Sequence, residues 1–146
     1  MTDHPIRLFT SAAAIRRIGE GLLAGNLAKS EWTHEAHLAA CAWLLLERPD
    51  ISLETELPGI ISRYNEAVGG VNDDRQGYHE TLTQLYIRAV REFLGNCPQR
   101  DLLGAVNALL ASAIAPRDWP LRHYSRERLF SVAARRGWVE PDLAPL

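Results

Sequence analysis

The chain has only two cysteines and one methionine in 146 residues. Cys41 lies inside an apolar run and Cys97 at the end of a polar one, with no spacing typical of a disulfide scaffold. Two such thiols fit a reducing cytoplasm and are expected to stay unbonded. Long hydrophobic runs are absent too. The longest strongly apolar stretch, residues 38–46, is far short of the roughly 20 residues a bilayer span requires, so no membrane partner is expected. No block of one charge exists either. Sixteen Lys and Arg stand against eighteen Asp and Glu, for a net charge of −2, so neither nucleic acid nor an anionic membrane surface is an expected partner. The sequence shows no secretory leader pattern, no internal repeat, no heptad run and no strand pair. What remains is 47% hydrophobic and 23% charged, ordinary for one soluble domain over residues 1–146.

The apolar periodicity is helical almost throughout, and an all-α, irregular antiparallel bundle of five to six helices is expected. Thr10 or Ser11 caps a first helix carrying Ile15, Ile18 and Leu22, and Gly25 stops it. Ser30 or Thr33 caps a second, apolar nearly all round, which ends at Arg48-Pro49. A third begins between Glu54 and Pro58, with the proline in its first turn, and reaches Val68. The fourth runs from about Tyr78 to Leu94, with His79, Leu82 and Tyr86 on its inward stripe. The fifth spans roughly 99–114. Residues 116–123 are irregular, Ser125 caps a short helix with Tyr124 stapled onto Leu129, and the last residues lie extended on the body.

Three histidines stand out from this architecture. His34 and His37 fall one turn apart at the start of the second helix, where side chains three apart share a face. His79 falls at the start of the fourth. If consecutive helices alternate in direction, the starts of the second and fourth meet at one end of the bundle. The loop 69–77, the Tyr64-Asn65 pair and His123 come to the same end. Three imidazoles with an open position form the ligand set of a hydrolytic zinc site. His34, His37 and His79 are therefore the candidate metal ligands, and a divalent metal such as zinc is the cofactor they would hold. Glu35 and Glu80 are the candidate second-shell or general-base carboxylates. His-Glu-Ala-His is one residue short of the zincin pattern, so a protease is not expected. Two helix starts aimed at one place also favour a small anionic substrate.

The reading that follows is a small enzyme with a His-lined pocket. Two alternatives stand beside it: acid–base catalysis by one histidine without metal, and a non-catalytic helical module that binds a ligand or partner. Other residues have plainer expected uses. Trp32 staples onto His37, Asn65 ties down the loop, Tyr64 and Tyr86 are core aromatics, and Arg135 and Arg136 are solvated. A leucine in place of His79 is expected to fold with no loss of stability.

Four segments, Trp32-Thr33-His34-Glu35-Ala36-His37-Leu38, Arg63-Tyr64-Asn65-Glu66-Ala67-Val68-Gly69, Gly77-Tyr78-His79-Glu80-Thr81-Leu82-Thr83 and Tyr124-Ser125-Arg126-Glu127-Arg128-Leu129, resemble a group of small bacterial all-helical proteins with no established activity. The resemblance covers most of the chain. It implies a bacterial source and carries no substrate, cofactor or site residue with it.

Overall fold

A computed structural model describes residues 5–146; His4 lies outside the described residues. Among these the architecture is all-α with no strand. Five helices carry the body: α1 (Ala12–Ala24), α2 (His34–Glu47), α3 (Leu53–Ala67), α4 (Glu80–Asn96) and α5 (Leu102–Leu110). Two short ones follow, α6 (Arg126–Leu129) and α7 (Val132–Arg136). Most helix starts are set by side-chain caps. Ser11, Thr33, Asp101, Ser125 and Ser131 each accept a backbone N–H from the first turn of their helix, which satisfies a donor the helix itself cannot.

The apolar α2 is the central element, packed on α1, α4 and α5. Its crossing with α1 depends on Gly19, where a Cβ would lie 2.1 Å from the Trp43 ring. The third helix departs from simple alternation. It packs mainly on α1 and α4 and meets α2 through side chains, with Leu57 in one core cluster with Cys41 and Leu44 and Tyr64 in another with Ala36 and Ala40. Pro58 is the sixth residue of α3, not a first-turn residue. Its ring nitrogen has no hydrogen for the carbonyl of Glu54. The Gln84 side-chain amide on α4 donates to that carbonyl instead, at 3.1 Å, and Arg91 pairs with the Glu54 carboxylate beside it.

The fourth helix starts later than its periodicity suggests. Glu80 is its first residue and His79 stands outside it as the cap. The fifth is shorter at both ends than expected, because Asp101 caps it and the chain turns after Leu110. The loop 69–77 is held closely. The Asn72 amide donates to Ser62 O at 3.0 Å, and its carbonyl oxygen accepts from Asn65 Nδ2 and Tyr78 N, each at 2.9 Å. Gly77 closes the loop at φ 83°, with Val71 O only 2.3 Å from where a Cβ would sit. Arg135 and Arg136 are not merely solvated. Arg135 donates to Gly77 O at 2.9 Å, and Arg136 pairs with Asp74 through two 2.7 Å bonds.

The last residues lie extended on the body, as expected. Tyr124 donates to Val139 O at 2.7 Å, Thr81 to Gly137 O at 2.8 Å, and Leu143 N to His123 O at 2.9 Å. Tyr124 and Leu129 share one buried cluster with Leu85 and Trp119.

Candidate ligand cavity

The space between α2 and the α3–α4 pair is a cavity of about 560 Å3. One wall is α2, from Thr33 through His34, His37 and Cys41 to Leu44. Facing it are Leu57 and Ile61 of α3 and Leu82, Thr83, Tyr86 and Ile87 of α4. Residues from 117 to 130, including Arg117 and Phe130, complete the rim. Most of this lining is apolar, with a few polar groups gathered near the start of α2, the usual make-up of a small-molecule site.

His37 is the polar group with the clearest geometry. Its ring stacks on Trp32, with centroids 3.8 Å apart, the staple expected from the sequence. Its Nδ1 lies 2.6 Å from Thr33 O. A carbonyl accepts only, so Nδ1 carries the hydrogen and the neutral ring presents at Nε2 a lone pair with no hydrogen-bond partner among the described residues. Desolvation by the protein atoms packed around the ring pushes its pKa down to about 4; the Thr33 bond works the other way, and His34 and Arg117 add to the lowering. At neutral pH Nε2 is therefore an acceptor. His34 also lines the cavity, and its Nε2 lies 2.6 Å from Ala115 O, so Nδ1 is its open ring atom.

His79 is differently employed. It is 8% exposed and is not on the cavity wall. Its Nδ1 accepts from Leu82 N at 3.2 Å, and its Nε2 donates to Leu129 O at 2.8 Å. One nitrogen caps α4 and the other anchors α6 onto it, which leaves no lone pair for a metal. Burial lowers its pKa, so the neutral ring that this capping requires is the favoured one. The starts of α2 and α4 do approach one space, as expected, but α4 brings Leu82, Thr83 and Tyr86 to it and not His79. The candidate ligands His34, His37 and His79 thus do not form a three-nitrogen set. Among the described residues no three His, Cys, Asp or Glu side chains are grouped to hold one metal ion.

The two candidate carboxylates also lie off the wall. Glu35 is buried on the other side of α2, where its Oε2 accepts from Arg7 N at 3.0 Å and helps hold the N-terminal segment. Asn107 completes that attachment by bonding both backbone groups of Phe9. Glu80 accepts from Tyr78 Oη at 2.5 Å and from Gln84 Nε2 at 3.2 Å. Asn65 ties down the loop, and His123 sits on Trp119 while its carbonyl receives the C-terminal segment.

Several cavity residues escaped the sequence reading. Cys41 has the most legible signal, four positions after His37 on one helical face. Its thiol is pushed up to about 12 by burial, so it stays protonated and unreactive at neutral pH. Tyr86 was readable as an apolar stripe residue but not as a wall. Its hydroxyl has no hydrogen-bond partner among the described residues, and burial raises its pKa. Arg117 and Phe130 carry no local signal.

Among the described residues, fold and site together describe an all-helical protein with an apolar cavity and an oriented imidazole on its wall. Comparison with protein families, curated proteins and solved structures gave no match.

Proposed function

We propose that this protein binds a small, largely apolar molecule in the cavity between α2, α3 and α4 and holds its polar end on His37. One observation carries the reading: an imidazole with Nδ1 fixed by the Thr33 carbonyl and Nε2 bare, on the wall of an otherwise apolar space of about 560 Å3. A core histidine satisfies both ring nitrogens, as His79 does. His37 is exposed where it lines the cavity, so water can meet Nε2 in the empty site and a ligand carrying a donor can take that water's place.

Acid–base catalysis has the same oriented Nε2 in its favour. A base whose conjugate acid lies at about 4 is weak at neutral pH, where the best catalytic pKa is near the working pH, so binding is the preferred reading. A zinc enzyme of the kind the sequence suggested would have His34 and His37 without the third nitrogen.

The test uses N-phenyl-1-naphthylamine, a neutral apolar fluorophore carrying one N–H donor. It should bind saturably, one per chain, with blue-shifted emission. Ile61→Trp and Cys41→Phe each fill the cavity from a different wall and should weaken binding at least tenfold while keeping the helical circular dichroism. Unsaturable binding to the parent, or full binding by both folded variants, would refute the site.

A further inference from the structure

The cavity has a direction. Along α2 it runs from His34 and His37 to Cys41 and Leu44. Arg117 acts on His37 electrostatically, whereas Arg91 and Glu54 act on Cys41, so the two ends have different neighbours. They also differ in exposure. His37, Arg117 and Phe130 are exposed. Cys41, Leu44, Leu57 and Ile87 are all buried. The polar end is therefore the mouth and the apolar end is blind.

The polar end also has a definite hydrogen-bonding character. His37 spends its N–H on Thr33 O and offers the mouth a lone pair. Thr83 spends its hydroxyl hydrogen on His79 O at 2.9 Å. A carboxylate entering here passes Arg117 on the rim, but at His37 it faces lone pair against lone pair. A hydroxyl can donate to Nε2 and still accept from water at the mouth. Seven residues of helix separate His37 from Leu44, a rise of roughly 10 Å. That length suits a chain of roughly eight carbons with bonds near 1.5 Å in a zigzag.

We infer that the cavity takes a single-tailed alcohol, tail first, with its hydroxyl donating to His37 Nε2 at the mouth and its chain ending against Leu44, Leu57 and Ile87. This rests on the cavity being a ligand site. It replaces the anionic substrate expected from the helix starts by a neutral donor.

Displacement of N-phenyl-1-naphthylamine at pH 7.5 tests it with three small competitors. Octan-1-ol should bind at least tenfold more tightly than heptyl methyl ether, its isomer without a donor, because a site with a bare acceptor rejects the analogue that cannot satisfy it. Octan-1-ol should also exceed octanoate. Lengthening the alcohol from six to eight carbons should tighten binding about fourfold per methylene (about 0.8 kcal/mol), and lengthening beyond ten should bring no further gain. In His37→Leu the advantage of octanol over the ether should vanish, whereas His37→Gln, which keeps an acceptor, should retain part of it. Parent protein that prefers octanoate or the ether, or an octanol advantage unchanged in a folded His37→Leu, overturns the head-group assignment alone. A parent that fails to bind the fluorophore overturns the cavity reading with it.

Discussion

His37 and His79 are the same residue type at the start of two helices, yet their neighbours give them opposite tasks. His79 has a partner for each ring nitrogen, so removing it orphans the Leu82 N–H and the Leu129 carbonyl together. His79→Leu should therefore lower stability by about 1–3 kcal/mol, read by urea denaturation, the reverse of what the apolar stripe alone suggests; an equally stable variant would mean the cap contributes nothing. For His37 the folded pKa, about 4, lies below the ordinary 6.5. Protons then bind the unfolded chain more readily between those values, so stability falls as pH drops from about 6.5 toward 4 and is unaffected by this group above 6.5. His79 acts in the same sense. The paired carboxylates Glu47, Glu54 and Asp50 have lowered pKa values and add their own losses only in more acid solution. Melting curves from pH 7 to 5 should thus decline in the parent and decline less steeply in His37→Leu, where His79 still acts in the same sense. A parent with a flat curve over that window would contradict the assignment.

At the scale of elements, the sequence announced the helices well because most carry both a cap and an apolar stripe. The bounds of α1 and α2 follow directly from Ser11, Gly25, Thr33 and Pro49. Boundaries went astray where a residue plays an unusual part. A histidine cap is outside the ordinary set, so the apolar stripe alone places the start of α4 too early. Pro58 reads as a helix start, whereas it is tolerated deeper because Gln84 of another helix takes up the released carbonyl, a compensation no local pattern displays. Pro58→Ala restores the internal bond and removes the ring's steric conflict. It should raise stability by about 1 kcal/mol in chemical denaturation. A loss of that size would mean that the Gln84 bond and the fixed proline dihedral outweigh the missing helical one.

At the scale of the whole molecule, the convergence of the starts of α2 and α4 on one region was legible from alternation of helix directions. The cavity itself was not. It lies where α2, α3 and α4 meet, with α3 packed mainly on α1 and α4, and helix-to-helix partnership is a property of packing, not of short connections. For the same reason the sequence could nominate His34, His37 and His79 together but could not show that the third is turned away to Leu129, or that Glu35 faces the N-terminal segment. The ligand reading stands on His37, whose Nδ1 is held by Thr33 O and whose ring lines the cavity with Nε2 left for a donor. The most direct measurement is imidazole nitrogen NMR of the parent, with a pH titration and with N-phenyl-1-naphthylamine added. His37 should be neutral with its hydrogen on Nδ1 down to about pH 5, and its Nε2 resonance should move when the fluorophore saturates. A His37 that titrates near 6.5, carries its hydrogen on Nε2, or keeps its Nε2 shift at saturation would contradict it.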